Sequence, residues 1–397
     1  MTVFEATCTA PVNIAVVKYW GKRDTSLILP TNSSLSVTLS QDQLHSKTTI
    51  RASADFTSDR LWLNGIEESI EKNKRLVACL RETRALRAQI EEKDASLPKL
   101  ASLKIHICSE NNFPTAAGLA SSASGYACLV YTLSQLFQLP LDASDLSIVA
   151  RQGSGSACRS LFGGFVAWEM GEKADGSDSK AVQIAPETHW PDLQAMICVV
   201  SDEKKGTSST EGMQLTVKTS ALLQHRIKEV VPKRMEEMIA AIRNKDFPKF
   251  AELTMQDSNQ FHAVCLDTYP PIFYMNDISR AIIRIITEYN KDGVKAAYTF
   301  DAGPNAVIYA PEKNMAEIYA VLSHFFPGAT FDDSLGLLSK TSTLPPLPQN
   351  FDTRVSPVFA QGSVKQILHT KADNGPRVLD SAQHGLLNAE GLPKRLA

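Results

Sequence analysis

A run of small residues in the first third of the chain has the composition of a phosphate-binding loop. It extends from Pro114 to Gly125 and reads PTAAGLASSASG. Glycine and alanine let backbone N–H groups approach an anion closely, and a helix that follows adds the positive end of its dipole. Ser121 and Ser122 could donate hydroxyl hydrogen bonds to phosphate oxygens or bind Mg²⁺. The segment has neither the Walker pattern nor the Rossmann pattern, and the same composition would also suit a helix packed closely against a neighbour.

Three further segments contain charged residues in suggestive settings. Ala10–Lys22 ends in two lysines four residues apart beside Gly21, which could hold a polyphosphate. Gly153–Ser160 reads GSGSACRS, where alternating glycine and serine could bind an anion and Arg159 offers a forked donor for a carboxylate. Asp301 is a single carboxylate after a predicted strand, in YTFDAGPNA. Taken singly, each has an ordinary explanation: solvated lysines at a strand end, a flexible turn, and a common turn composition.

The four segments occur together, and their combination resembles the mevalonate diphosphate decarboxylases of the eukaryotic type. The loop is similar to the Pro-x-x-x-Gly-Leu-x-Ser-Ser-Ala motif of the galactokinase, homoserine kinase, mevalonate kinase and phosphomevalonate kinase superfamily. Ala120 stands where many of those kinases have glycine. KYWGK, GSGSACRS and FDAGPNA distinguish the chain from the sister kinases. The resemblance covers most of the chain and is weakest in about 310–397.

The resemblance implies a reaction, a fold and an assembly. Family members use ATP and Mg²⁺ to convert (R)-5-diphosphomevalonate to isopentenyl diphosphate, releasing CO₂, ADP and phosphate, in the mevalonate pathway of isoprenoid and sterol biosynthesis. Phosphorylation of the 3-hydroxyl would create a leaving group, and its departure with CO₂ would form the alkene. The implied fold is the superfamily's two-domain α+β fold, with the active site in the cleft between domains. The implied assembly is a homodimer.

The resemblance also assigns roles to individual residues. Asp301 would act as the base for the 3-hydroxyl, Lys18 would hold the diphosphate end and tune Asp301, and Arg159 would clamp the carboxylate. The substrate-binding positions implied are Tyr19, Trp20, Gly21, Lys22, Arg75, Ser154, Gly155, Ser156, Ala157, Cys158, Arg159, Ser209 and Thr210. The ATP-binding positions implied are Asn112, Gly118, Leu119, Ala120, Ser121 and Ser122. Ser122 would also contact the Mg²⁺ ion, and Asn13 would orient its neighbours.

Periodicity and turn residues predict the elements that position these groups. Predicted strands cover 46–51, 59–63, 103–107, 163–170, 195–200, 295–300 and 306–309, with a hairpin turn at Asn64-Gly65. Predicted helices cover 70–93, about 121–137, 142–152 with Asp142 as N-cap, and most of 210–290. A composition shift at 171–191, where KADGSDSK is predicted to be an exposed loop, separates an N-terminal α+β domain, 1–190, from a C-terminal α+β domain, 191–397. Residues 326–357 are expected to be irregular, and the tail after about 385 loosely held.

Composition narrows the possible partners and compartment. The chain has 397 residues, with 41 Lys plus Arg against 43 Asp plus Glu, so it lacks the basic excess typical of nucleic-acid binders. Its seven cysteines show no CxxC spacing, which predicts buried, reduced thiols in a cytoplasmic protein. The longest uncharged stretch, Asn111–Leu141, is too polar for a membrane helix, and the N-terminus does not resemble a signal peptide.

Two other functions remain open at this level. A kinase of the same superfamily would phosphorylate its substrate and stop, although GSGSACRS argues against this. A sensor without turnover would keep the pocket but usually lacks the base or the phosphate loop. Lys18, Ser122, Arg159 and Asp301 are all present, which favours an enzyme.

Overall fold

In the part of the chain that the structure describes, three β-sheets of four to six strands are covered by helices, and a fourth sheet has two short strands. They are seen in a computed structural model that describes residues 3–113, 121–200, 206–337 and 344–395. The strands are β1 Phe4–Pro11, β2 Asn13–Val17, β3 Lys22–Asp24, β4 Leu29–Pro30, β5 Ser34–Thr38, β6 His45–Ser53, β7 Arg60–Leu63, β8 Ile66–Glu68, β9 Lys104–Asn111, β10 Phe165–Trp168, β11 Ala181–Ala185, β12 Leu193–Val199, β13 Ala297–Phe300, β14 Ala306–Pro311, β15 Thr330–Asp332, β16 Gln366–Lys371 and β17 Arg377–Leu379. The α-helices are α1 Lys74–Lys93, α2 Ser121–Leu136, α3 Ala143–Gly153, α4 Ser209–Thr219, α5 Ala221–His225, α6 Val231–Asn244, α7 Phe247–Asp267, α8 Asp277–Tyr289, α9 Glu312–Phe325 and α10 Ser381–His384.

The sheets divide between the two halves of the chain. The first half forms a six-stranded sheet, β17-β1-β6-β9-β7-β8, and a four-stranded sheet, β11-β10-β5-β2. The second half forms a five-stranded sheet, β13-β14-β12-β16-β15. Strand β17 is the exception, because it returns to pair antiparallel with β1. The arrangement is the predicted α+β fold, while the domain boundary near residue 190 stays a prediction.

Local sequence signals account for several elements. Asn64 and Gly65 both have positive φ, 49° and 83°, as a two-residue hairpin turn between β7 and β8 requires. The Asp142 side chain accepts a hydrogen bond from the Asp145 N–H at the start of α3, which confirms its prediction as N-cap. A 3₁₀ helix, Gly155–Leu161, follows α3 and contains most of the GSGSACRS segment.

The KADGSDSK segment contains no helix or strand, as predicted for a loop, and strand β11 follows it and pairs with β10. The prediction of a loosely held tail is wrong. The tail is held up to residue 395: Arg51 donates to the Asn388 carbonyl, and His106 Nδ1 lies 2.8 Å from the Gly391 carbonyl oxygen. Apolar burial explains the tail, because Leu387 packs beside Trp62 and Cys108. The described part of 326–357 is largely irregular, as expected, apart from β15 and a 3₁₀ turn, Thr353–Val355.

The packing brings the ends of two strands together. Strand β2 of the four-stranded sheet ends immediately before Lys18, and β13 of the five-stranded sheet ends immediately before Asp301. Helix α7 contacts both strands, and one apolar core includes residues of both sheets. All seven cysteines are buried and unpaired, as predicted. Among the described residues, every helix is too short or too polar to cross a lipid bilayer.

Candidate active site

A cavity of about 170 Å³ is lined by residues from both halves of the chain. Its described lining consists of Asn13, Ala15, Lys18, Tyr19, Trp20, Lys22, Arg75, Ser121, Ser122, Ser154, Gly155, Ser156, Arg159, Ser209, Thr210, Met213, Phe261, Asp301 and Ala302. Fourteen of these positions are ones that the sequence predicts for substrate, ATP or catalysis. The fold therefore collects segments separated by almost three hundred residues around one small volume.

Lys18 and Asp301 form an ion pair in the cavity wall. Lys18 Nζ lies 2.6 Å from Asp301 Oδ1 and also donates to the Ala15 carbonyl at 2.6 Å. The Lys18 side chain is 3% exposed and that of Asp301 26% exposed. The ammonium is thus fixed inside the protein, whereas one edge of the carboxylate remains open to the cavity. A carboxylate held in this way can accept a proton from a hydroxyl placed beside it.

Arg159 is buried behind the cavity and held by neutral groups. Its Nε donates to Asn13 Oδ1 at 3.2 Å and to Ser36 Oγ at 2.9 Å, and its Nη1 donates to Ser34 Oγ at 2.5 Å. Asn13 is fixed in turn by donating to Ser160 Oγ at 2.8 Å, in agreement with its predicted orienting role. Because the three acceptors of Arg159 are neutral, its positive charge remains available to an anion in the cavity.

The cavity lining contains further donors. Arg75 Nη2 on α1 donates to Thr210 Oγ1 on α4 at 2.8 Å, which links the two halves across the cleft. Burial, with the Arg75 charge as a second cause, lowers the pKa of Lys22 to about 8. The Tyr19 hydroxyl oxygen is buried and has no hydrogen-bond partner among the described residues. Two cations and an unpaired phenol are suited to a ligand with several anionic oxygens.

The phosphate-loop serines connect this cavity with a second one. Ser122 Oγ lies 3.2 Å from Ser154 Oγ. The second cavity, about 220 Å³, is largely apolar and shares Ser121 and Ser122 with the first. Its other lining residues are Leu61, Leu63, Asn64, Asn73, Leu76, Ile107, Ser109, Asn111, Gly125, Tyr126 and Leu129. Gly118, Leu119 and Ala120 lie outside the described residues.

Four predicted site residues lie elsewhere in the described structure. Ala157 and Cys158 are fully buried in the 3₁₀ helix, and Cys158 Sγ donates to the Gly155 carbonyl at 3.0 Å. Gly21 has a φ of 98°, and a Cβ there would approach Thr31 Oγ1 to 2.7 Å, so it shapes the turn after Trp20. The Asn112 side chain is hydrogen-bonded to nearby backbone: it accepts from the His45 N–H and donates to the Gln43 carbonyl. A direct ligand contact by these four stays a prediction.

Some site residues were missed by sequence reasoning. Ser34 and Ser36 anchor Arg159, and their spacing of two on one strand puts both hydroxyls on the same face. That alternation in SSLSVT was a usable signal. Phe261 and Met213 also line the cavity, and neither was predicted as a site residue. Trp20 contributes apolar surface, because its indole N–H already donates to Thr216 Oγ1 at 3.0 Å.

The fold and the cavity define a phosphate-handling enzyme of the superfamily that includes galactokinase and mevalonate kinase. Residues 10–181 match the family description Diphosphomevalonate decarboxylase-like N-terminal domain, and residues 195–379 match Mevalonate 5-diphosphate decarboxylase C-terminal domain. The diphosphomevalonate decarboxylase of Ganoderma lucidum is 62% identical, over 99% of this chain and 100% of the relative. The chain belongs to the diphosphomevalonate decarboxylase family.

Solved structures agree with this assignment. An X-ray crystal structure of mevalonate 5-diphosphate decarboxylase is 50% identical with a TM-score of 0.87, covering 98% of this chain and 99% of that one. A structure of MDDEF in complex with MVAPP, AMPPCP and magnesium is 30% identical with a TM-score of 0.74, covering 96% of this chain and 100% of that one. The two-domain α+β fold is therefore shared.

Proposed function

We propose that Asp301, Lys18 and Arg159 carry out the family's reaction in the first cavity. In that reaction, ATP phosphorylates the 3-hydroxyl of (R)-5-diphosphomevalonate, and phosphate and CO₂ then leave to give isopentenyl diphosphate. The observation that carries the proposal is that these three residues line one cavity. The Asp301 carboxylate is partly exposed and pairs at 2.6 Å with the buried Lys18, and Arg159 is buried as well. A base and a carboxylate clamp are the two groups that the reaction requires.

Asp301 acts in the first step. The 3-hydroxyl is tertiary and a poor leaving group, so it is phosphorylated first. The hydroxyl must lose its proton as it attacks the γ-phosphoryl group. Asp301 Oδ1 is occupied by Lys18 Nζ at 2.6 Å, which leaves the other carboxylate oxygen to accept the hydroxyl proton. Lys18 fixes the carboxylate in position, and positioning of reacting groups is a large part of phosphoryl-transfer catalysis.

Arg159 acts in the second step by holding the substrate carboxylate. As the new phosphate leaves, positive charge develops at C3, and the electrons of the bond to the carboxylate fill it. A planar guanidinium can orient a carboxylate through two hydrogen bonds. It must not bind so strongly that CO₂ formation is hindered, and the rigid attachment of Arg159 to Asn13, Ser34 and Ser36 limits how closely it can follow the leaving group.

The diphosphate of the substrate occupies the other end of the cavity. Lys22 and Arg75 supply positive charge there, and the unpartnered Tyr19 hydroxyl supplies a hydrogen bond. Ser209 and Thr210 at the start of α4 close this side, with Thr210 already bonded to Arg75. The substrate is thereby stretched between a diphosphate site and Arg159, which places its 3-hydroxyl near Asp301.

ATP fits across the two connected cavities. The apolar second cavity suits a base, and Ser121 and Ser122 lie where it meets the first, so they would contact the phosphates. The described residues contain no cluster of three His, Cys, Asp or Glu side chains. Mg²⁺ keeps several waters and binds substrate phosphates, and Ser122 would supply a hydroxyl ligand from the protein. When bound, the ion neutralises charge on the phosphates.

A measurement of all products tests the function. ATP and diphosphomevalonate should yield ADP, phosphate and CO₂ in equal amounts, because the phosphoryl group must be shed when the carboxylate leaves. ADP without free phosphate would instead identify a superfamily kinase. Phosphate without CO₂ would identify an ATPase and leave Arg159 without its task. Folded protein that consumes neither substrate would be a sensor.

The KM for diphosphomevalonate is expected to rise about tenfold between roughly pH 7 and pH 9, because Lys22 loses its charge over this interval. Its pKa is lowered to about 8, so the charged form that binds the diphosphate predominates below this value and disappears above it. Binding should therefore take up a proton near pH 8, which calorimetry in buffers of different ionisation enthalpy can measure. Lys22→Arg is the matched control, because arginine stays charged and should remove both effects.

The compartment and assembly complete the proposal. Seven buried, unpaired cysteines are consistent with the reducing cytoplasm, and the family resemblance suggests a homodimer. Light scattering coupled to size-exclusion chromatography measures the mass directly, and a single species at 43.5 kDa would contradict the dimer.

A further inference from the structure

Two consecutive residues of α7 hold the backbones of the strands that carry the catalytic pair. Asp257 Oδ2 accepts the Lys18 backbone N–H at 2.7 Å. Ser258 Oγ accepts the N–H of Phe300, the residue before Asp301, at 3.0 Å. Lys18 follows β2 and Asp301 follows β13, and these strands belong to different sheets. Two neighbouring residues of α7 thus bind the ends of both strands, and the Lys18–Asp301 contact depends on where these ends lie.

We propose that Asp257 and Ser258 are positioning residues that set the separation of Lys18 and Asp301. The proposal rests on the roles proposed above for that pair. Neighbouring residues of a helix keep a fixed spacing, so the two acceptors hold the two strand ends at a fixed distance. Neither residue was singled out by the sequence, and neither lines the cavity.

The attachment at Lys18 is reinforced from both sides of its peptide. Arg226 donates to Asp257 from Nη1 at 2.9 Å and from Nη2 at 3.0 Å, and the same Nη2 donates to the Lys18 carbonyl at 3.1 Å. Arg234 Nη1 adds a contact to Asp257 at 2.9 Å. Lys18 is therefore held through both its N–H and its carbonyl by one buried ion pair.

Asp257 is ionised because two arginines contact it. Burial alone would raise the pKa of Asp257, but the adjacent Arg226 and Arg234 lower it below its usual value, so the carboxylate stays ionised. A buried ion pair stabilises a fold no better than apolar side chains of similar volume. The Asp257 carboxylate, however, has two acceptor oxygens, so it can hold the Lys18 N–H and also pair with Arg226 and Arg234.

The next turn of α7 places a buried histidine near the pair. His262 lies four residues after Ser258, and its ring is 6.3 Å from that of Phe300 in an edge-on arrangement. Burial, with the Lys18 charge as a further cause, lowers the pKa of His262 to about 4, so the imidazole is uncharged at neutral pH.

Ser258→Ala is expected to lower kcat about tenfold, with the KM values for both substrates changed less than about twofold, because small displacements of reacting groups cost rate and leave binding intact. The matched control is Thr254→Val, one turn earlier on α7. Thr254 is equally buried, and its hydroxyl donates to the Phe250 carbonyl of its own helix. This control should lose stability without losing turnover.

The effect should disappear when Asp301 is absent. In an Asp301→Asn background, Ser258→Ala should change the residual kcat by less than about twofold, because a residue that acts through Asp301 is coupled to it. Equal losses in both backgrounds would mean a general structural role and overturn the proposal, as would normal kcat in Ser258→Ala. Asp257→Asn provides a second variant, expected to show the same coupling, and its independence from Asp301 would count equally against the proposal. Normal kcat in Asp301→Asn by itself would instead refute the catalytic role of Asp301.

Discussion

Asp301→Asn is expected to lower kcat by about 10³-fold, within the range for loss of a general base, while the KM for diphosphomevalonate changes by less than about threefold. The amide keeps the size and shape of the side chain but removes its basicity and its charge. In the proposed mechanism, Lys22 and Arg75, which line the same cavity, bind the diphosphate of the substrate. Steady-state kinetics with phosphate release as the readout separates the two parameters.

The control for Asp301 addresses the lysine that it leaves behind. Lys18 is 3% exposed and would lose its ion-pair partner, so part of any loss could reflect a disturbed fold. The double variant Lys18→Met/Asp301→Asn removes the unpaired buried charge and should recover melting temperature without recovering turnover. Recovery of turnover in the double variant, or near-normal kcat in Asp301→Asn, would remove Asp301 from the mechanism.

Arg159→Gln is expected to lower kcat/KM by about 10²-fold, in line with the loss of charged hydrogen bonds to a buried anion. Arg159→Lys should keep part of the activity, since lysine keeps the charge but cannot reproduce the fork that contacts Asn13, Ser34 and Ser36. The measurement is CO₂ and phosphate release per enzyme molecule.

Arg151 provides a matched comparison for Arg159. It is 1% exposed, lies on the preceding helix α3, and donates to the Gly176 and Ser179 carbonyls away from the cavity. Arg151→Lys should lower the melting temperature and leave kcat/KM nearly unchanged. If Arg159→Gln and Arg151→Lys affected activity equally, Arg159 would be a structural arginine and the carboxylate would need another partner.

Local chemistry made much of the fold predictable. The Asn64-Gly65 turn needs residues that tolerate positive φ, and Asp142 caps α3 through its own side chain, so each signal acts within a few residues. The held tail was not predictable in this way. Leu387 is buried against Trp62 and Cys108, more than 270 positions earlier in the chain. Two adjacent leucines, Leu386 and Leu387, give no periodic signal of such a contact.

The candidate site, like the fold, was predictable from the sequence only in part. The motifs indicated which residue types are present, and the cavity contains Lys18, Ser122, Arg159 and Asp301 as that reading expects. A motif does not show in which direction each of its side chains points. Within GSGSACRS, Ser154, Gly155, Ser156 and Arg159 line the cavity, whereas Cys158 points into the core because of how the 3₁₀ helix turns.

The sequence by itself determined the family and the chemical groups of the reaction, because these depend on residue types and their order in short segments. The tertiary structure alone decided which atoms meet. Lys18 and Asp301 lie 283 positions apart, and their 2.6 Å contact exists only because α7 holds the ends of strands from two different sheets. Side-chain packing over such separations is set by the whole core, so no local pattern encodes it.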